Sequence, residues 1–520
     1  MSTQGKTLYD YIVVGAGAAG CVVATRLTED PSVSVLLLES GGEDADPNMS
    51  MPVGALSTWR GPADWCDVTV PQPQLYDRRI NISAGRVLGG SGSINFTAWS
   101  RGHRADYDGW AAHGMEGWSW DEVLPSFKRS EDHELGASAA HGTGGPIAVT
   151  TPKDVNPLSL AFITAAVENG LPLNRDLSGG DFDGAGLLYS NVRGGERSSG
   201  AREYLRPALS RPNLTLRTNV QVERVVVEYN TARGVIVCNA EGVQETVRAE
   251  TVVLCAGAMR TPQLLMLSGI GPANHLASLG IQVHLDLPGV GGNFQDHPVG
   301  MITYPVTRGS TLLDGNKDQA ADLYQTQRRG PLASLVQVAA FIRTASDAQA
   351  PDVVLTPMLL DLAAGQSSTV TCLVTVLKPE SRGTVRLQSA NPQHKPLVNP
   401  RYLQKAQDRQ TMVDGLHRAL EIYASPTLRS ALGPLSVPMA TDDHTLLAST
   451  RALMISMNHP VGTCRAGTDD MSVVDPSLRV HGVEHLRVID ASVMPDLPRA
   501  FTHAPSIMIG ERGAEVLLDQ

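Results

Sequence analysis

The stretch from Tyr9 to Glu39 constrains this chain more than any other part of its sequence. An apolar segment, Tyr11 to Val14, leads directly into the turn GAGAAG at residues 15–20. A helix-compatible run follows, and a second apolar segment, Val33 to Leu38, ends on an acid. This order of strand, glycine turn, helix, strand and acid is typical of a βαβ unit that binds a dinucleotide.

Each polar or glycine position of this unit has a predicted role. Gly15 allows the tight turn, Gly17 lets the backbone approach a pyrophosphate, and Gly20 lets the helix pack closely on the strand. The free amides and the positive dipole end of the helix favour the phosphates. Glu39 is placed to accept hydrogen bonds from a ribose, and its charge disfavours the 2′-phosphate of NADP. The motif alone does not separate FAD from NAD.

Length and composition exclude several classes of protein. A chain of 520 residues exceeds what one core usually holds, which predicts two or three domains. Hydrophobic residues make up 42% and charged residues 18%, as in a globular protein with a large interior. The net charge of −11 and the lack of a basic stripe argue against a nucleic-acid partner.

The N-terminus and the cysteines predict where the chain resides. The first residues lack the basic and apolar regions of a secretory signal, and no apolar run approaches the length of a membrane span. The six cysteines are far apart and have no metal-ligand spacing. We therefore expect a cytoplasmic protein with reduced cysteines, no transmembrane segment and no metal site.

A second domain is predicted in the middle of the chain. Strands are indicated at Ser334 to Ile342, Val353 to Pro357, Val370 to Leu377 and Gly383 to Gln388, and an amphipathic helix at Ala406 to Ile422. Around them, blocks rich in small residues recur, which suits backbone that must lie close to a ligand. The last such block precedes a helix predicted from Ile507 to Leu518.

Five of these blocks resemble those of the glucose-methanol-choline (GMC) family of FAD oxidoreductases, in the same order. They are GRVLGGSGSIN (85–95), GAMRTPQLLMLSGIG (257–271), GVGGNFQDHP (289–298), NHPVGTC (458–464) and VIDASVMP (488–495). Together with the N-terminal turn, the resemblance extends over almost the full chain. It implies an α/β fold with a Rossmann-like FAD-binding domain that is discontinuous in sequence. An α+β substrate-binding domain built on an antiparallel sheet is inserted into it.

The resemblance also implies domain bounds and a cofactor. The FAD-binding domain would comprise residues 1–145, 200–300 and 465–520, and the substrate-binding domain residues 146–199 and 301–464. The cofactor would be FAD rather than NAD. Residues expected to bind it are Gly15, Gly17, Ala18, Gly20, Glu39, Arg86, Val87, Gly90, Ser91, Asn95, Val222, Ala256, Gly257, Asp490, Ala491 and His503. Some members attach FAD through a histidine where this chain has Ile94, so the flavin is expected to be non-covalent.

The family's chemistry, by resemblance, assigns the catalytic residues. Hydride leaves an alcohol carbon for flavin N5 only if a base removes the hydroxyl proton, and a histidine suits that task. His459 stands at the family's base position, and His503 at the position that hydrogen-bonds the substrate oxygen. Pro460 and Pro505, helix breakers next to these histidines, predict that both lie in loops, where catalytic groups often occur. Asn458 and Met457 are expected to contact the substrate. His297, in QDHP, is interpreted as a turn residue that stabilises the fold.

The function predicted from these assignments is oxidation of a small or medium primary alcohol to its aldehyde. Electrons would pass to molecular oxygen or to a quinone or other acceptor, and the sequence does not separate these. A hydroxynitrile lyase or a flavin photodecarboxylase of the same family and an NAD-dependent dehydrogenase are the alternatives. Aromatic or furanic alcohols, linear alkanols and pyridoxine-like alcohols remain open as substrates, whereas no carboxylate or aromatic cage for choline is identifiable.

Overall fold

The protein contains two large sheets, in agreement with the predicted α/β class. A computed structural model describes residues 8–312, 317–345, 348–359, 368–436 and 440–519. Helices of eight or more residues in these ranges are Ala18–Leu27, Arg104–Ala112, Trp120–Ser130, Pro157–Glu168, Gly257–Leu267, Lys317–Gln327, Ala406–Tyr423, Asp443–Leu453 and His503–Leu518. Among the described residues, no helix combines the length and the apolarity that crossing a bilayer requires.

The first sheet has seven strands, five of which are parallel. In spatial order the parallel strands are Leu214–Arg217, Val35–Leu38, Tyr9–Val14, Gln244–Leu254 and Leu486–Val488. Numbered along the chain, this order is 3-2-1-4-5, which is that of a Rossmann fold. Gln221–Glu228 and Thr231–Cys238 extend the sheet as an antiparallel meander. Strand Val35–Leu38 is buried throughout, as strands covered by helices on both faces must be.

The second sheet has six strands and is antiparallel. In order they are Ile455–Ser456, Pro298–Pro305, Thr369–Val376, Val353–Met358, Val338–Ile342 and Gly184–Leu187. Successive side chains of a strand point to opposite faces. Val353 and Val374 therefore face helix Ala406–Tyr423, where they lie against Gly415. The opposite face of the sheet is left for the cavity described below.

Two predicted elements have different bounds in the structure. The C-terminal helix begins at His503 rather than Ile507, so the expectation that Pro505 keeps this histidine in a loop is wrong. Proline is tolerated in the first helical turn because the amides there have no intrahelical acceptor. The strand predicted at Gly383 to Gln388 is Thr384–Arg386, and it pairs with Leu397–Asn399 outside both large sheets. Because strand Pro298–Pro305 crosses residue 300, we propose that the second segment of the substrate-binding domain begins at Pro298 rather than at residue 301.

Candidate active site

The carboxyl ends of the parallel strands lie side by side at one edge of the first sheet. Val14 is in register with Leu38 and with Leu254, and Leu254 is in register with Val488. The residues that follow these strands therefore lie close together at this edge, although they are far apart in the sequence. Ligands of open α/β sheets bind at such an edge, where the strand order reverses.

The glycine turn is built as the sequence predicts. Gly15 has φ of +101°, and the helix that follows begins at Ala18 with Gly17 at its N-cap. A Cβ on Gly20 would lie 1.9 Å from the carbonyl oxygen of Gly15, so any larger residue would force the helix away from the strand. Close packing holds the turn, and the helix amides remain directed at the sheet edge.

Glu39 is a buried carboxylate at the end of the second strand. It accepts hydrogen bonds from the amides of Ala16, at 2.9 Å, and Gly41, at 2.8 Å. Burial raises the pKa of its carboxyl group. A carboxylate can accept about four hydrogen bonds, so these two contacts fix its orientation and leave acceptor capacity toward the cavity that it lines.

One cavity of about 570 Å³ joins most of the predicted site residues. Those that line it are Gly15, Gly17, Ala18, Glu39, Gly90, Ser91, Asn95, Ala256, Gly257, Met457, Asn458, His459, Asp490, Ala491 and His503. Four others do not line it. Gly20 packs behind the turn, Val87 is buried against Ile94, Arg86 stacks on Trp65, and Val222 lines a small adjoining cavity. The two predicted catalytic histidines thus share one cavity with the glycine turn.

Asp490 connects two of the converging loops. Its buried carboxylate accepts hydrogen bonds from the amides of Gly257 and Ser492, both at 2.8 Å, and from the hydroxyl of Thr261 at 2.6 Å. Burial raises the pKa of this carboxyl group. These bonds hold the backbone of residues 256–257 against that of residues 490–491, so that both stretches face the cavity.

A short 3₁₀ turn, Gly90–Ser93, brings a third stretch of backbone to the cavity. The buried guanidinium of Arg197 holds this segment by donating to the carbonyl of Gly92 and to the side chain of Asn95. Burial lowers the pKa of Arg197 to about 9. Ile94, which follows the turn, also lines the cavity and offers no nucleophile for covalent attachment of a ligand.

His503 is the first residue of the C-terminal helix, and its ring lies against Gly92. A Cβ on Gly92 would be only 2.7 Å from His503 Cε1, so glycine is required for the ring to occupy this position. Its Nε2 is buried and has no hydrogen-bond partner in the described part of the chain. Burial, assisted by the charge of Arg197, lowers the pKa of His503 to about 4. It is therefore neutral at physiological pH.

His459 is paired with a second imidazole. Its Nδ1 lies 2.9 Å from Nδ1 of His297, and its ring meets that of Phe501 edge-on at 5.8 Å. Burial lowers the pKa of His459 to about 3, and that of His297 is also well below its ordinary value because of burial and the neighbouring imidazole. Both rings are neutral, so one of the two Nδ1 atoms must donate and the other accept.

The backbone decides which imidazole donates. Nε2 of His297 lies 3.1 Å from the carbonyl oxygen of Leu377, which can only accept. We therefore assign the proton of neutral His297 to Nε2, which leaves its Nδ1 as the acceptor. His459 must then donate from Nδ1, and its Nε2 keeps an unprotonated lone pair. The interpretation of His297 as a turn residue alone missed this contact.

Asp296 holds the backbone of His297 and His459 in position through hydrogen bonds. Its carboxylate accepts from the amides of His297, at 2.9 Å, and His459, at 2.8 Å, and from the hydroxyls of Tyr402 and Ser456. Burial raises the pKa of its carboxyl group. The QDHP block was recognisable in the sequence, but its contact with the residues that carry His459, more than 150 positions later, was not.

Asn458 occupies a left-handed backbone conformation, with φ of +61°. Asparagine tolerates this region better than most residues. Its side-chain oxygen accepts from the amide of Ser83 at 2.8 Å, so this oxygen fixes a loop beside the cavity. Met457, next to it, packs against the core of the second sheet.

Replacing Asn458 by alanine should destabilise the protein modestly. Asn458→Ala loses one hydrogen bond and places at positive φ a residue that tolerates this region less well than asparagine, which together cost about 1–2 kcal/mol. We expect the thermal midpoint to fall by about 1–2 °C, as measured by differential scanning fluorimetry. Asn458→Gly is the matched variant, because it relieves the backbone strain and should lose less. Equal midpoints for the two variants would show that the backbone conformation carries no cost.

Comparison with known proteins identifies related sequences over nearly the whole chain. The sequence profiles of GMC oxidoreductases match residues 9–299 and 379–510. The chain is 38% identical to alcohol dehydrogenase [acceptor] of Pseudomonas putida, over 98% of this chain and 96% of that protein. It is 37% identical to mitochondrial choline dehydrogenase of Homo sapiens, over 100% and 91% of the two chains.

A solved structure shares the whole architecture. The crystal structure of pyridoxine 4-oxidase from Mesorbium loti superposes with a TM-score of 0.91 at 31% identity, and covers 98% of this chain and 99% of that one. The profile matches, the near full-length relatives and the shared fold lead to one conclusion. The chain belongs to the GMC family of FAD-dependent oxidoreductases.

Proposed function

We propose that the protein oxidises a small or medium primary alcohol to its aldehyde, with His459 as the general base. The observation that carries this proposal is that the ring of His459, paired through Nδ1 with His297, lines the cavity shared with the dinucleotide turn. The names of relatives support the substrate class, since they include an alcohol dehydrogenase and a choline dehydrogenase. A fungal aryl-alcohol oxidase has the same fold, with a TM-score of 0.88 at 26% identity.

The residues around the cavity fit FAD. The amides of the glycine turn and the remaining acceptor capacity of Glu39 suit the pyrophosphate and ribose, and the small residues at 256–257 and 490–491 leave room beside the backbone. We propose that these residues hold FAD without a covalent bond, because Ile94 offers no nucleophile. When bound, FAD supplies the acceptor for the hydride that leaves the alcohol carbon.

His459 and His503 act on the substrate oxygen in this proposal. His459 Nε2 accepts the hydroxyl proton, which releases the electron pair that expels the hydride from the carbinol carbon. His503, whose Nε2 has no partner in the part of the chain that the structure describes, hydrogen-bonds the same oxygen and orients it. Since both rings are neutral before the substrate arrives, neither needs to lose a proton first. Alignment of the substrate by the cavity walls supplies the remainder of the rate enhancement.

An anaerobic titration tests the proposal. Mixing the purified yellow protein with a panel of primary alcohols in the absence of oxygen should bleach the flavin absorbance and yield the matching aldehyde. A hydroxynitrile lyase would cleave its substrate without bleaching, and a photodecarboxylase would release carbon dioxide from fatty acids only in light. A colourless protein that requires added NAD would overturn the assignment. Re-admission of air, or of a quinone, then identifies the electron acceptor.

The cysteines support a reducing compartment. All six are free in the structure, and four of them are buried. Burial raises the pKa of the Cys255 and Cys464 thiols well above the ordinary value, which keeps them protonated and unreactive. We propose a cytoplasmic location, which fractionation of the native host would test.

A further inference from the structure

Arg197 is a buried cation, and its hydrogen-bond acceptors are all uncharged within the described ranges. It is 2% exposed, and its guanidinium donates to the carbonyl oxygens of Met49, at 2.7 Å, and Gly92, at 3.3 Å. The third acceptor is the side-chain oxygen of Asn95. Its Nη2 is buried and has no partner in the described part of the chain. Burial of a charge without a counter-charge costs free energy, so a charge retained at such a position points to a function there.

This charge lies behind the wall of the cavity. Gly92 and Asn95, which Arg197 contacts, line the cavity, and so does His503, whose ring lies against Gly92. Arg197 itself does not line the cavity. It therefore reaches a bound ligand only through its electric field. The pKa of His503, lowered first by burial and then by the charge of Arg197, shows that this field extends to the cavity wall.

The charge of Arg197 is not offset locally, in contrast to that of another arginine at the site. Arg260 lines the cavity but pairs with Asp67 at 2.8 Å, so its charge is largely cancelled at a distance. Coulomb interactions fall only with the inverse of distance, and they are several times stronger in a protein than in water. An unpaired charge behind the wall therefore favours negative charge inside the cavity.

The oxidation proposed above brings negative charge to this wall. The carbinol carbon loses a hydride, which carries two electrons and a proton to FAD, and the hydroxyl proton passes to His459 as the aldehyde forms. FAD thereby gains the negative charge of the hydride. Residues 90–95, which Arg197 holds from behind, are among those proposed to bind FAD. The positive charge thus lies on the side of the cavity where it stabilises the reduced cofactor.

We propose that Arg197 is an electrostatic residue of the FAD site, whose unpaired charge makes two-electron reduction of the bound FAD more favourable. It is not a catalytic residue, because it touches neither substrate nor cofactor. The inference goes beyond the proposed function, since it applies to any substrate that reduces FAD. It depends on the presence of FAD, which the family membership of the chain establishes.

A redox equilibrium tests the proposal without any alcohol. The holoenzyme is reduced slowly in the absence of oxygen, together with a reference dye of known potential, and the two absorbances give the equilibrium constant for two-electron reduction of FAD. Arg197→Gln can still donate a hydrogen bond but carries no charge. It should lower this constant about tenfold or more, which corresponds to a potential lower by about 30 mV or more. Arg197→Lys keeps the charge and should remain within about threefold of the unaltered protein.

Arg386→Gln is the matched control. Arg386 also donates to backbone carbonyl oxygens, those of Val290 and Val385, but it does not line the cavity. Its replacement should leave the equilibrium constant unchanged. If Arg197→Gln lowers the thermal midpoint or the FAD content but leaves the constant unchanged, Arg197 has a structural role only, and the proposal is overturned. Equal changes in Arg197→Gln and Arg197→Lys would overturn it as well.

Asn95→Asp provides a second variant in case Arg197→Gln does not retain FAD. The new carboxylate has nearly the shape of the amide and lies beside the guanidinium, so it offsets the charge of Arg197 in place. This variant should also lower the equilibrium constant about tenfold or more, and an unchanged constant would contradict the proposal. Failure of every primary alcohol to bleach the flavin would instead overturn the proposed function, and it would leave the redox equilibrium, which involves no alcohol, unaffected.

Discussion

His459→Ala should lower kcat/KM for a primary alcohol by about 10²–10⁴-fold while the protein still purifies yellow. The reason is that the variant keeps every contact at the glycine turn but loses the only atom proposed to take the hydroxyl proton. Hydride cannot leave readily from a carbon whose oxygen remains protonated. The measurement is the rate of flavin bleaching in anaerobic stopped flow, at several alcohol concentrations, together with the flavin content of the variant.

The matched control for this substitution is His417→Ala. His417 is partly exposed and pairs with Asp443 at 2.7 Å on the surface. Its removal should leave bleaching unchanged. A His459→Ala enzyme that bleaches as fast as the unaltered protein would contradict the assignment of the base.

The pH dependence gives an independent check on His459. Its pKa is lowered to about 3 by burial, so the ring is neutral and able to accept a proton well below its ordinary titration range. The kcat/KM of the unaltered enzyme should therefore be nearly constant between about pH 5 and 9, without an acid limb near the ordinary imidazole pKa of about 6.5. A fall in kcat/KM centred near that value would show that the base in the free enzyme retains an ordinary pKa.

The sequence predicted best those elements whose conformation depends on residues close together in the chain. The turn from Gly15 to Gly20 depends on steric contacts between neighbouring elements, and the acid at position 39 follows directly from where its strand ends. The convergence of Asp490 with this turn depends instead on strand register between segments more than 200 residues apart. The family resemblance, and not periodicity, brought that residue into the site.

Other features could not be read from the sequence because they depend on tertiary contacts. Threonine is common in strands, and nothing local distinguishes Thr356, whose hydroxyl has no hydrogen-bond partner among the described residues, from Thr303, which shares a hydrogen bond with Thr371. His503 was expected in a loop because proline breaks most helices, yet Pro505 lies in the first turn, where it does no harm. In both cases the outcome depends on which polar groups have hydrogen-bond partners in the folded chain, and the sequence alone does not show this.

His297→Leu should lower kcat/KM for the same alcohol by about 10–100-fold, although His297 is proposed to touch neither substrate nor FAD. Leucine cannot accept the proton on Nδ1 of His459, so that buried N–H loses its partner. The loss of such a bond costs about 1.5–3 kcal/mol, and each 1.4 kcal/mol corresponds to a tenfold change in rate. His459 would then be free to rotate or to place its proton on Nε2, which cannot accept a second one. His297 is in this sense a positioning residue.

The variant His297→Gln tests whether His297 positions the proton of His459 or only fills space beside it. The glutamine oxygen can accept from His459 Nδ1 while its amide nitrogen donates to the carbonyl of Leu377, so this variant should recover most of the activity that the leucine variant loses. The nitrogen chemical shifts of ¹⁵N-labelled imidazole rings provide a readout that packing does not move: Nδ1 of His459 should be protonated in the unaltered and glutamine proteins, and should share its proton with Nε2 in the leucine variant. Flavin content and thermal midpoint, measured on both variants, establish that the fold is retained. If both variants were equally impaired with unchanged tautomers, His297 would be a packing residue, and the proton on His459 would be held in place by some other contact.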